Sequence, residues 1–265
     1  MPLVAGIDCG SGFTKAIVVG QDSPGSDLRV VGRGQVRSGI NVDQAANAAL
    51  LLALGDTPRS EVSYIAATGF GRYGLNFRDI AITEITSAAR GAFFVFPQPG
   101  AVLDIGSQTT RAISVSDKGR VHSFKSNDKC AAGSGMFIAR AARYLEIPLE
   151  QVGDLSLKAG HPQPISSVCA VLAESEIINH VSSGVSVENI LRGIHESLAD
   201  RSGALLKRVG LNDHLTFIGG VAHQQGMIEA LKQRLGVKVY VPDDCEYVCA
   251  LGAALLGLRR LAARN

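Results

Sequence analysis

Two stretches of this sequence can be laid on one another without a gap. GIDCGSGFTKAIVV, Gly6–Val19, and VLDIGSQTTRAISV, Val102–Val115, pair Asp8 with Asp104, Gly10 with Gly106, Ser11 with Ser107, Thr14 with Thr110 and Lys15 with Arg111. Each copy is an apolar run ending in aspartate, a Gly/Ser/Thr turn and a second β-rich run, the pattern of a hairpin with a short polar loop. A duplicated hairpin constrains the fold more than any single motif. It predicts two related lobes, each opened by its own copy.

The rest of the chain alternates between strand and helix patterns. Between the copies, Asn41–Leu54 and Thr83–Ala92 read as helices, and SYIAATGFGR as a strand ending in a glycine loop. After the second copy come helices near Ser134–Glu146, Cys169–Ser182 and Val187–Val209. LTFIGGVAHQQGMIEAL then gives a strand, a Gly-Gly turn and a helix, VKVYVP a strand, and EYVCALGAALLGLRRLAARN a closing helix with a basic end. Such alternation predicts the α/β class. The expected division is lobe I over residues 1–98, with the C-terminal helix 246–265 packing back on it, and lobe II over 99–245.

Composition narrows the function classes. With 265 residues the chain is long enough for a full core. A formal charge of +2 argues against nucleic acid and anionic membranes as partners. The longest apolar run, Ala45–Gly55, is too short to span a bilayer, and the start MPLVAGIDCG lacks the basic region of a signal peptide, so a cytoplasmic location is expected. Five cysteines, an odd number, argue for free thiols, metal or catalysis rather than a disulfide framework.

A Gly/Ser/Thr hairpin lets backbone N–H groups and hydroxyls approach phosphate oxygens closely. In the first copy these are Ser11, Gly12, Phe13 and Thr14, with Lys15 as a charge partner; in the second they are Gly106 and Ser107. Asp8 and Asp104, one before each turn, suit a hydrated Mg²⁺ that prefers carboxylate, water and phosphate oxygens. Gln108 is placed to orient an attacking water. Gly219 and Gly220 offer bare backbone to a base or ribose, and Gly133, Ser134 and Gly135 are further candidates for nucleotide contact. Together these motifs, Asp8–Thr14, Asp104–Thr110 and Phe217–Gly226, resemble the phosphate-1, phosphate-2 and adenosine motifs of the actin-like (ribonuclease H-like) ATPase superfamily. That resemblance implies two duplicated lobes with ATP and Mg²⁺ in a cleft between them.

Two cysteines stand where helices begin: Cys130 in NDKCAAGSGMF and Cys169 in SSVCAVLAESEII. A helix N-terminus lowers a thiolate's pKa and favours an anionic sulfur cluster. Two thiolates supply half of what a [4Fe–4S] cluster takes, and a symmetric dimer would supply four. These segments, with TGFGR, VLDIGSQ and FIGGVA, resemble the ATPase component of the 2-hydroxyacyl-CoA dehydratases and benzoyl-CoA reductases, nearest to a reductase ATPase subunit. The resemblance implies an ATP-driven electron activator. Its [4Fe–4S] cluster is shared between Cys130 and Cys169 of two subunits, identical or closely paralogous. Its donor is ferredoxin or flavodoxin, and its acceptor an iron–sulfur acyl-CoA dehydratase or reductase. A small-molecule kinase and an actin-like scaffold on the same fold stay open at this point. Glu174 and Glu176 are candidates for a link from nucleotide to cluster helix. Cys9 reads as a packing residue, and Cys245 and Cys249 as a pair that no histidine in ligand spacing completes.

Overall fold

The computed structural model describes residues 2–22, 27–98, 100–127, 134–165 and 170–264, with the side chains at 170 and 171 excepted. Two compact units emerge: Met1–Pro99 with Val115–Val121 and Glu246–Asn265, and Gly100–Ser114 with His122–Cys245.

In the first unit β1 (Leu3–Cys9) and β2 (Phe13–Gly20) form the first hairpin, antiparallel from Leu3↔Gly20 to Cys9↔Thr14. β3 (Arg29–Arg37) lies beside β2. α1 (Val42–Leu54) follows, then β4 (Val62–Thr68), β5 (Ile80–Ala81) and α2 (Glu84–Val95). The sheet order is β3-β2-β1-β4-β5, with β1 and β4 parallel. β1 is buried along its whole length, as a central strand covered on both faces must be. α1 covers one face and α8 (Val248–Ala262) the other, and α2 packs on α8. Glycines let both helices come close: a Cβ at Gly34 would strike Ala49 of α1, and one at Gly6 would strike Ala250 of α8.

The second unit repeats this plan. β6 (Gly100–Ile105), β7 (Thr110–Val115) and β8 (Val121–Asn127) precede α3 (Gly135–Tyr144), α4 (Val152–Ser156), α5 (Ala170–Ser182) and α6 (Val187–Val209). β9 (His214–Ile218), α7 (Gln225–Leu235) and β10 (Lys238–Tyr240) follow. The sheet order is β10-β9-β6-β7-β8. Read from β8, it is the first sheet with β6 in the place of β1 and β9 in the place of β4. Its core is built on Leu103, Ile105, Phe137, Ile190, Ile194, Leu198, Phe217 and Met227. Each such fully buried side chain contributes about 1.5–3 kcal/mol.

Local chemistry sets the element ends. Asn41, read as the first residue of a helix, is its cap: the side chain accepts from the Gln44 N–H at 3.0 Å. Thr83 does the same for α2, accepting from the Thr86 N–H at 3.2 Å. α8 starts at Val248, after a 3₁₀ turn over Cys245–Tyr247, later than the closing helix expected from 246. β3, β5, β8 and α4 were not foreseen. β3 reads RVVGRGQVR, where arginines and glycines erase the alternation of a half-buried strand. Among the described residues no helix is long and apolar enough to cross a membrane.

Candidate functional site

Asp8 lies near the end of β1 and Lys15 opposite it on β2, so hairpin register brings the two together: Lys15 Nζ is 3.7 Å from Asp8 Oδ2. At the equivalent place in the second hairpin, Arg111 Nη1 is 3.1 Å from Asp104 Oδ2. Both carboxylates are buried, at 9% and 4% exposure, and each keeps its cation. Duplication therefore extends from sequence to ion pair. Burying a carboxylate is costly unless it is paired, and each aspartate has its cation within reach.

The loops differ in how they are held. In the first, Ser38 beyond β3 donates through Oγ to the Gly10 carbonyl at 2.6 Å and through its N–H to the Gly12 carbonyl at 3.0 Å. Its hydroxyl also meets Thr14 Oγ1 at 2.9 Å. Thr14 is thus buried and turned to Ser38, while Ser11 and Phe13 are exposed and Gly12 partly so. In the second, Gly106 N–H donates to the Thr109 carbonyl at 2.9 Å, and Gln108 is exposed. The first amides of α3 sit on this loop: Gly135 N–H donates to the Gly106 carbonyl at 2.9 Å and Met136 N–H to the Ser107 carbonyl at 2.8 Å. Gly135, a candidate for nucleotide contact, therefore spends its N–H on the loop, and Ser134 is fully buried.

Two glycines with positive φ close on the aspartates. Gly219, with φ 91°, has room for no side chain: a Cβ would stand 2.7 Å from Asp104 Oδ1 and 2.5 Å from the Ile105 carbonyl. Gly69, with φ 88°, stands in the same way against Asp8 Oδ1. Register explains both, because β4 sets Thr68 beside Asp8 and β9 sets Ile218 beside Asp104. Gly220 faces open space, with nothing within 4 Å of where a Cβ would be. Arg72 fixes the Gly69 loop, reaching the Gly69 carbonyl at 2.9 Å and Glu84 Oε2 at 2.7 Å. Gly69, Arg72, Glu84 and Ser38 were missed as site residues. Extending the repeat from the hairpins to the strands ending ATG and FIG would have found Gly69; nothing local in the sequence singles out Ser38.

Cys130, Cys169 and Gly133 lie outside the described residues. What flanks them is clear. α5 starts at Ala170, directly after Cys169, and α3 at Gly135. Glu174 of α5 ties the two helices, accepting from Arg140 Nη1 at 3.2 Å and from the Tyr144 hydroxyl at 3.3 Å. Cys9 is packed in β1, and burial, with the Asp8 charge adding, pushes its thiol up to about 12. Cys245 does have a histidine: His223 Nε2 lies 3.6 Å from its Sγ, 22 residues upstream in sequence.

Behind the Gly-Gly turn, His195 of α6 is fully buried between Ser156 Oγ, 2.9 Å from Nδ1, and Gln224 Oε1, 2.8 Å from Nε2. Burial, with the Arg192 charge adding, outweighs the bond to Gln224 and pushes its pKa down to about 4. The ring is therefore neutral. A neutral imidazole donates through one ring nitrogen and accepts through the other, and both nitrogens have a partner here.

The chain is similar to several known proteins. The activator of lactoyl-CoA dehydratase of Anaerotignum propionicum is 38% identical over 94% of this chain and 95% of its own. A benzoyl-CoA reductase subunit of Thauera aromatica is 38% identical over 98% of this chain and 94% of its own. The solved structure of the activator of the 2-hydroxyisocaproyl-CoA dehydratase from Clostridium difficile, with bound ADPNP, superposes with a TM-score of 0.91 at 32% identity, covering 99% of this chain and 96% of that one. The fold is the actin-like ATPase fold that the resemblance implied. The BadF/BadG/BcrA/BcrD ATPase family model matches residues 5–257, and the chain belongs to that family of ATPases.

Proposed function

We propose that this ATPase is an electron-transfer activator: hydrolysis of ATP drives single electrons from ferredoxin or flavodoxin to a 2-hydroxyacyl-CoA dehydratase or benzoyl-CoA reductase component. The ADPNP bound to the related activator supports a nucleotide site formed by the same motifs. Each hairpin loop would offer its amides and hydroxyls to phosphate oxygens, and Gly219–Gly220 bare backbone to the adenosine. Asp8 and Asp104 suit Mg²⁺ and its waters, being buried carboxylates already balanced by Lys15 and Arg111. The exposed Gln108 carboxamide orients the water for in-line attack on the γ-phosphorus, a reaction that needs positioning and charge neutralisation above all. Cys130 and Cys169 would hold a [4Fe–4S] cluster shared with a second subunit; when bound, it supplies a low-potential one-electron carrier.

The observation that carries this reading is the seat of α3. Its first two amides rest on the carbonyls of Gly106 and Ser107, so a loop that responds to phosphate moves the helix that follows Cys130. Through Glu174 the same displacement reaches α5, which follows Cys169. These contacts give a nucleotide-responsive loop a route to both helices. That route does work if ATP favours one arrangement of these helices over another.

The test is the rate of iron removal by a chelator under anaerobic conditions with ATP, with ADP and without nucleotide. Removal is expected to be fastest with ATP or a non-hydrolysed analogue. Equal rates in all three states would show that nucleotide and cluster are not coupled through these helices.

A further inference from the structure

The geometry points to a second metal site on this chain: Cys245, His223 and Glu246 form a three-ligand Zn²⁺ centre beside the Gly-Gly turn. The site is distinct from the cluster cysteines and from the magnesium carboxylates, and it goes beyond the activator reading.

His223 Nε2 and Cys245 Sγ are 3.6 Å apart. With Zn–S near 2.3 Å and Zn–N at 2.0–2.1 Å, two ligands of one tetrahedral zinc are separated by about 3.6 Å. The thiol and imidazole therefore already stand as an edge of that tetrahedron. A carboxylate oxygen of Glu246, the next residue in the chain, brings the third donor, and all three ligand atoms fall within 4.8 Å of one another. Thiolate, imidazole and carboxylate form a mixed donor set that suits zinc better than the hard cation bound with ATP. One position stays open for water. Cys245 is buried and His223 exposed, so the ion has a path of entry on the histidine side. Binding requires the thiolate, so the Cys245 proton leaves to solvent as zinc enters.

The position gives the site a consequence. Gly219 donates its N–H to the Cys245 carbonyl at 3.0 Å, and His223 closes the 3₁₀ turn Gly220–His223 that begins beside it. Zinc on Cys245 and His223 would staple both ends of the turn proposed to receive the adenosine.

The test is zinc content after equilibration with equimolar Zn²⁺ under anaerobic conditions and removal of the excess. Three proteins are compared: the unaltered protein, His223→Ala, and Cys130→Ala/Cys169→Ala, which removes the other thiolate pair. About one zinc per chain is expected in the first and third, and less than about a tenth of that in His223→Ala. The zinc-edge X-ray absorption spectrum should show a single sulfur neighbour near 2.3 Å. His223 is exposed, so its loss leaves the fold intact, which circular dichroism checks. Zinc retained in His223→Ala, zinc lost with Cys130 and Cys169, or no stoichiometric zinc in the unaltered protein would each overturn the assignment.

Discussion

Single residues here act mostly by holding backbone in place. Ser38 touches the first hairpin loop three times, through its N–H and its hydroxyl, although it lies outside the motif. Ser38→Ala leaves the N–H bond but strips the Gly10 carbonyl and the buried Thr14 hydroxyl of a partner. Each such loss is worth about 1 kcal/mol, and a slack loop misplaces the phosphates. The expected result is a roughly tenfold or greater fall in kcat/KM for ATP, largely restored by Ser38→Thr, with the thermal midpoint lowered by a few degrees. Steady-state phosphate release decides it; unchanged kinetics would make Ser38 a bystander. His195 holds the Gln224 side of the Gly-Gly turn and titrates abnormally. Its folded pKa, about 4, lies below the unfolded value near 6.5. Between these values the unfolded chain binds more protons, so stability rises with pH. Its contribution is complete above about pH 6.5 and is lost as pH falls toward 4, by up to about 3 kcal/mol. Melting curves from pH 7.5 to 5 should show this loss in the unaltered protein, and a flatter acid limb in His195→Gln.

At the scale of elements, the α3–α5 pair makes the sharpest claim. Arg140 is half exposed, so its ion pair with Glu174 adds at most about 1 kcal/mol to stability. Its value lies in joining two helices that would otherwise move separately. Glu174→Ala should therefore melt close to the unaltered protein and still hydrolyse ATP, while delivering several-fold fewer electrons per ATP, the range of ordinary coupling energies. Counting phosphate released per electron accepted tests this; an unchanged ratio would remove Glu174 from the path. These same elements show what the sequence could and could not tell. The hairpins were legible because alternation, aspartate and glycine recur in register, and α6 because its apolar period runs over 23 residues. β3 and β8 were not, being edge strands whose exposed residues carry little pattern. The seat of α3 on Gly106 and Ser107 was invisible, because it uses only backbone N–H and C=O. His223 was missed because metal spacing is sought along the chain, and here it is the fold that brings it to Cys245.

For the whole molecule, the question is how many chains make one working ATPase. Each chain offers Cys130 and Cys169, half the thiolates of a [4Fe–4S] cluster. The helix after Cys169 leaves Leu172, Ile178 and Val181 about half exposed, at 55%, 54% and 49%. Apolar surface of this kind beside a proposed cluster suits a second copy, whose own α5 would cover it by two-fold symmetry. Removing a cysteine alone tests this poorly, since it takes away a ligand whatever the assembly. A charge on the apolar face is cleaner. Ile178→Asp keeps all five cysteines and alters an exposed position that the monomer's core does not need. If the cluster bridges two subunits, this variant should become monomeric and lose most of its iron together, while still binding ATP. Cys130→Ala and Cys169→Ala should lose iron and also loosen the dimer, because the cluster is then part of the interface. Sedimentation with iron and sulfide analysis, done anaerobically, reads all three. A monomeric Ile178→Asp with a full complement of iron would mean that one chain holds the cluster alone, and the bridging model would have to be abandoned.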